Sequence, residues 1–200
     1  DYLMEELPSA TKQSLGGVET ISRIVLAMKE FAHPGQREKA MANINKSVEN
    51  TLTVSRNEWK HHAELETDLD ENIASVPCLV GEINQVLLNL IVNATHAIQD
   101  RHGDEMGLIK ISTHQDGEFV EIRVSDNGSG IPEHAQDHVF DQFFTTKDVG
   151  KGTGQGLAVS YDVIVNKHGG TITFETEERE GTTFIIRLPV NTNEEKPEAA

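Results

Sequence analysis

Two hundred residues with 36% hydrophobic content can fill one packed core but not two. The formal net charge of −16, with no cluster of Lys and Arg, excludes a nucleic-acid partner, because phosphate backbones are bound through basic surface. A single cysteine, Cys78, excludes an internal disulfide, no apolar run approaches the length of a membrane span, and no signal peptide or presequence opens the chain, so the expected setting is cytoplasmic, with any membrane anchor outside these residues.

Leu15, Val18, Ile21, Ile24, Val25, Met28 and Phe31 recur at three- and four-residue spacing, which predicts an amphipathic helix with a narrow apolar seam. Pro8 suits its first turn, and Pro34-Gly35 stop it by His33. Such a seam fits a coiled-coil or bundle dimer, or packing onto the helix's own domain. A short strand is expected near Met41 to Ile44, then a helix from about Asn45, as its cap, to Trp59, with Val48, Leu52 and Trp59 inward. Leu65, Thr67 and Leu69 alternate as a strand. Cys78, among Val76, Leu79 and Val80, reads as a buried structural thiol.

A long helix from about Glu82 to Asp100 would bury Ile83, Val86, Leu87, Leu90, Ile91, Ala94 and Ile98. Two strands follow, one with Ile109 and Ile111, the other with Val120, Ile122 and Val124, joined by an Asp116-Gly117 turn. Residues 132–153 hold no sustained period and read as a long loop with one helical turn at most, and loops of that length are uncommon in compact domains unless functional. A helix from about Gln155 to Lys167 closes at Gly169-Gly170, and a last hairpin pairs Thr171–Thr176 with Thr182–Leu188 across Glu180-Gly181. The tail after Pro189 has the composition of a disordered segment.

Four short features carry chemistry. In Asn89-Leu90-Ile91-Val92-Asn93 a four-residue helical step puts two carboxamides on one face, where a carbonyl can ligate Mg²⁺ and an amide can reach a phosphate oxygen, or where both can bond neighbouring loops. Asp126-Asn127-Gly128-Ser129-Gly130-Ile131 follows a strand; its carboxylate can accept from an exocyclic amine such as adenine's and its glycines let backbone pass a flat base, or it is a sharp turn with an acidic end. Gly150-Lys151-Gly152-Thr153-Gly154-Gln155-Gly156-Leu157 runs into a helix start and suits anionic phosphates, or forms a lid without a ligand. It lacks the Lys-Ser/Thr of a P-loop and does not follow a strand as a dinucleotide fingerprint does. In Gly181-Thr182-Thr183-Phe184 a threonine hydroxyl can reach a base or simply belong to a strand.

In this order the features resemble the N, G1, G2 and last glycine boxes of the ATP-binding family that includes histidine kinases, gyrase, Hsp90 and MutL, from about Ile44 to Pro189. Phe140-Asp141-Gln142-Phe143-Phe144-Thr145-Thr146-Lys147 is similar to the F box. The resemblance implies an α/β (α+β) two-layer sandwich, a mixed, mostly antiparallel sheet packed on helices (the Bergerat fold), preceded by the N-terminal amphipathic helix. It implies an ATP-binding catalytic domain over residues 36–190, with residues 1–35 as a partial dimerisation region and 191–200 as a tail. It also implies ATP and Mg²⁺: Asn93 as metal ligand, Asn89 positioning metal and phosphates, Asp126 reading the adenine amine, Gly128, Gly130 and Ile131 beside the base, and Thr182 near adenine. Gly152, Thr153, Gly154, Gln155, Gly156 and Leu157 would hold the phosphates, with Phe143 and Phe144 anchoring the lid and Lys147 a phosphate contact. His96 departs from the lysine of many relatives, and either makes a weaker, pH-dependent phosphate contact or faces solvent.

In the gyrase and Hsp90 branch a glutamate one turn before the metal-binding asparagine activates water, whereas here Asn89 holds that position and cannot act as a base. The resemblance therefore implies a histidine kinase, phosphorylating a histidine from elsewhere. Val18–Val25, running to Phe31-Ala32-His33-Pro34, resembles the second helix of the dimerisation hairpin in the nitrogen-regulator-like branch, and no histidine here has the acceptor context. The implied partners are a histidine-bearing dimerisation helix of the same kinase, a response-regulator receiver domain, and a second copy in a homodimer. A regulatory module without chemistry and a gyrase-type ATPase are the alternatives.

Overall fold

A computed structural model describes residues 38–145 and 154–191. The expected N-terminal helix, most of the tail and loop residues 146–153 lie outside the described residues. The described part runs β1 (Ala40–Ala42), α1 (Ile44–Val54), α2 (Arg56–Trp59), β2 (Ala63–Leu69), β3 (Val76–Cys78), α3 (Val80–His102), β4 (Gly107–Asp116) and β5 (Phe119–Asp126). It continues with α4 (Glu133–Gln136), α5 (Gly156–Tyr161), a π-helical turn (Asp162–Lys167), β6 (Thr171–Glu177) and β7 (Gly181–Pro189).

Five strands form one sheet in the order β2-β4-β5-β7-β6. Only β2 and β4 run parallel; the remaining pairs are antiparallel, as the mixed, mostly antiparallel expectation requires. Register aligns the apolar rows: Ile111 lies opposite Val124, which lies opposite Phe184, and Ile122 lies opposite Ile186. Period-two alternation therefore sends one face of each strand into the core. Against it α3 buries Ile83, Val86, Leu87, Leu90, Ile91, Ala94 and Ile98, the stripe anticipated from spacing, and α1 adds Ile44, Val48 and Leu52. The result is a two-layer sandwich with α3 central, so whatever α3 displays on its remaining face is rigidly placed.

Several boundaries differ from expectation. Asn43, not Asn45, caps α1, its side-chain oxygen accepting from Lys46 N–H at 3.3 Å. Asn45 bonds across the layers instead, donating to the Asp70 carbonyl at 2.9 Å and accepting from Thr113 Oγ1 at 2.7 Å. The helix expected to reach Trp59 breaks at Ser55, and α2 is a separate short turn. β3 was not anticipated; three residues containing Pro77 become a strand only by pairing with β1. α3 is longer at both ends than its apolar stripe, and the last helix passes from α to π geometry after Tyr161.

Candidate functional site

The exposed face of α3, the loop after β5, α4, the loop after it and the start of α5 enclose a cavity of about 480 Å³. Its lining includes Asn89, Asn93, His96, Asp126, Gly130, Ile131, Phe144, Gly154, Gly156, Leu157 and Thr182, so residues scattered over more than ninety positions converge on one space. Gly128 and Gln155 do not line it. Lys147, Gly152 and Thr153 lie outside the described residues.

Each wall has a local cause. Asp126 ends β5 opposite Thr182, the second residue of β7. Its carboxylate accepts from Gly128 N–H at 2.8 Å and from the backbone of Thr182, yet burial outweighs both bonds and pushes its pKa up to about 6. A partly buried acceptor held by main chain in the wall of a mostly apolar cavity suits an amine donor on a flat ring. The Thr182 hydroxyl lies 3.0 Å from that of Thr176, which in turn accepts from Ile131 N–H at 2.9 Å. These links fix the base-side wall.

Gly128 serves close packing: a side chain there would meet Ala97 Cβ at 2.6 Å and the Ile98 nitrogen at 2.7 Å. The loop thus lies directly on α3, with Ser129 N–H donating to the Ala97 carbonyl at 2.9 Å. Arg101 and His102, in the last turn of α3, bond the Asn127 carbonyl at 3.0 and 2.9 Å. Asn127 itself is structural, its carboxamide oxygen accepting from Leu108 N–H at 2.8 Å.

On the opposite side, Asn89 Nδ2 donates to the Gly156 carbonyl at 3.0 Å, while its Oδ1 accepts from Gln85 Nε2 at 3.0 Å. Asn93, one turn on, lines the cavity and its carboxamide has no partner among the described residues. Gly154 adopts φ +62°, and a side chain there would meet Phe143 Cα at 2.7 Å, because Phe143 N–H donates to the Gly154 carbonyl at 2.9 Å. This turn brings the glycine segment back to the F-box aromatics. Phe144 lines the cavity, whereas Phe143 is exposed at φ +67°. Behind them Phe140 packs against Tyr161 and Phe174, and Phe174 against Phe184, with tilted rings at centroid distances of 5.4–6.1 Å.

Sequence reasoning missed Ala97, Ser129, Val139 and Asp100 among the lining residues. Ala97 was within reach of helical spacing, lying four residues beyond Asn93 on the same face. The described lining contains no Lys or Arg, and its acids are Asp126 and Asp100. A hard divalent cation here would take oxygen from Asn93 and the remainder from phosphate and water, which fits Mg²⁺ with its few protein ligands.

Residues 80–192 match the model of the family described as histidine kinase-, DNA gyrase B-, and HSP90-like ATPase. The chain is 32% identical over 181 residues to the sensor histidine kinase ZraS of Escherichia coli K12, covering 90% of this chain and 37% of that protein. It is 33% identical over 176 residues to the signal transduction histidine-protein kinase AtoS of the same organism, covering 87% of this chain and 28% of that one. The chain therefore spans about a third of these relatives. Among solved structures, the nucleotide-free catalytic domain of histidine kinase ThkA superposes with a TM-score of 0.67 at 31% identity, over 76% of this chain and 96% of that domain. ThkA in complex with the response regulator protein TrrA gives a TM-score of 0.63 at 26% identity, over 87% of this chain and 49% of that one.

Proposed function

The chain belongs to the family of histidine kinase-, DNA gyrase B- and HSP90-like ATPases, and from that premise we propose that it binds Mg-ATP as the catalytic domain of a two-component sensor histidine kinase, delivering the γ-phosphoryl group to a histidine on a dimerisation helix of the same kinase. The observation that carries this reading is the state of Asn89. At the phosphate end of the cavity its amide is spent on the Gly156 carbonyl and its oxygen on Gln85, and the described lining offers no carboxylate there. Without a base to activate water, the site is suited to hold a nucleotide for a nucleophile that comes from outside.

In this reading Asp126 accepts the adenine amine, Thr182 supports the base edge, and Ile131 and Leu157 supply its apolar flanks. Gly154, Gln155 and Gly156, with Gly152, Thr153 and Lys147 outside the described residues, hold the triphosphate at the start of α5. Asn93 would ligate Mg²⁺, which when bound neutralises phosphate charge, and Asn89 keeps the glycine segment docked. The division into a partial dimerisation region over 1–35 and an ATP-binding domain over 36–190, the homodimer and relay to a response-regulator aspartate belong to the same proposal. ThkA, a relative of similar architecture, has been captured with a response regulator.

Radiolabelled ATP given to a longer chain that includes the upstream helix should yield acid-labile, base-stable protein phosphate. Phosphoserine, or rapid steady-state hydrolysis by the present 200 residues alone, would overturn the assignment.

A further inference from the structure

Resting on that nucleotide reading, we propose that Asp100 is a ribose-recognition residue that makes the cavity prefer ribonucleotides to deoxyribonucleotides. Asp100 lines the cavity, is exposed, and has no hydrogen bond or ion pair among the described residues. Among the described residues nothing uses its carboxylate.

Its place on α3 decides what it can meet. Asn89, Asn93, Ala97 and Asp100 follow at steps of three and four along one helical face, and all line the cavity. The two ends of this stripe are chemically marked. Asn89 bonds the Gly156 carbonyl, at the glycine segment whose amides suit anions. Ala97 accepts from Ser129 N–H, within the loop that follows Asp126. Asp100 lies beyond Ala97, and at 1.5 Å per residue it is roughly 16 Å along the axis from Asn89.

A carboxylate beside a triphosphate would be repelled; at the far end of the stripe it faces the uncharged nucleoside. There Asp126, also in the lining, would take the adenine amine, which leaves the ribose 2′- and 3′-hydroxyls as the donors still to be satisfied. Two carboxylate oxygens can accept from one or both of a vicinal diol, the same chemistry by which dinucleotide sites hold a ribose through an acidic side chain. Arg101 and His102 anchor the last turn of α3 to the Asn127 carbonyl, so Asp100 projects from a fixed support.

Titration calorimetry of this chain with Mg²⁺ and ATP, 2′-deoxy-ATP or 3′-deoxy-ATP tests the assignment. The wild type should favour ATP over at least one deoxy analogue by roughly tenfold. Asp100→Ala should lose about that factor for ATP and bind all three nucleotides alike, with Asp100→Asn between them. Alanine is a good helix former at an exposed helical position, so the fold is preserved. An unchanged ratio of ATP to deoxy-ATP affinity in Asp100→Ala overturns the proposal, as does tighter ATP binding by that variant, which would mark Asp100 as merely repulsive. Failure of the wild type to bind ATP at all would instead remove the nucleotide reading beneath it.

Discussion

Asn89 and Gly156, sixty-seven residues apart, are joined by a 3.0 Å hydrogen bond from the Asn89 carboxamide to the Gly156 carbonyl. The bond docks the first turn of α5 onto the middle of α3, and Ser160 Oγ adds a second donor to the same carbonyl at 2.8 Å. Asn89→Ala should therefore lower stability by only about 1 kcal/mol, because Ser160 still holds the Gly156 carbonyl and the lost bond from Gln85 is exposed to solvent. Nucleotide affinity should fall further, by tenfold or more, because the glycine segment loses its anchor. Thermal unfolding and calorimetry on the same sample separate the two effects; equal losses would show that Asn89 acts only on the fold.

Gly154 gives a sharper test of the same segment. Its φ of +62° and the contact that any side chain would make with Phe143 Cα leave no room for alanine. The strain falls on a turn outside the main core, so Gly154→Ala should leave the unfolding midpoint within a few degrees of wild type while greatly reducing ATP affinity. Loss of the cooperative transition would mean that this turn is part of the folding unit after all.

Much of this was legible before the structure because it depends on local rules. The α3 stripe, the Asp116-Gly117 hairpin, with Gly117 at φ +59°, and the last hairpin follow from period and turn chemistry alone. What was not legible depends on partners far along the chain. Asn43 and Asn45 are equally good caps by type, and the choice between them is made by Asp70 and Thr113, which recruit Asn45. The strand Val76–Cys78 exists because β1 lies beside it. Within the site, Asn89, Asn93, Asp126, Gly130, Ile131, Phe144, Gly154, Gly156, Leu157 and Thr182 line one cavity, whereas Gly128 faces α3, where only a glycine lets the loop lie on Ala97. Asp100 escaped notice because a single acid at a helix end carries no pattern.

Asp126 should show a conflict between stability and binding. Its folded pKa of about 6 lies above the ordinary 3.8, so the native state holds the extra proton between those values. Stability therefore falls as pH rises through that window and stays lowered above it, by on the order of 3 kcal/mol. Asp126→Asn removes the charge but weakens acceptance from Gly128 and Thr182, leaving a net gain of about 1 kcal/mol at pH 7.5 that disappears near pH 4. The same change offers an amide donor where adenine presents one too. ATP affinity should drop at least tenfold and the preference for ATP over GTP should narrow. A variant less stable than wild type at pH 7.5 would contradict the buried-charge account.

His168 should impose a pH dependence of opposite sign. It is 4% exposed, and its two ring nitrogens have distinct partners: Nδ1 lies 2.6 Å from the Val163 carbonyl and Nε2 accepts from Leu79 N–H at 2.9 Å. Only the neutral ring with its hydrogen on Nδ1 satisfies both. Burial lowers its pKa, with Lys39 and Lys167 adding to the effect and Val163 and Glu82 opposing it. As pH falls below about 6.5 the unfolded chain takes up a proton that the native state refuses, so stability is lost, by at most about 1.4 kcal/mol at pH 5.5. Asp126 gains stability over part of the same range, so the measurement belongs in the Asp126→Asn background. There the unfolding midpoint should drop by a few degrees between pH 7.5 and 5.5, and adding His168→Gln, which keeps one donor and one acceptor, should flatten that slope at little cost at pH 7.5. His168→Ala strands Leu79 N–H and the Val163 carbonyl and should cost about 1–3 kcal/mol at pH 7.5, the cost shrinking as pH falls below about 6.5 because alanine does not titrate. Equal slopes with and without His168→Gln would show that the start of α3 is held by something other than this imidazole.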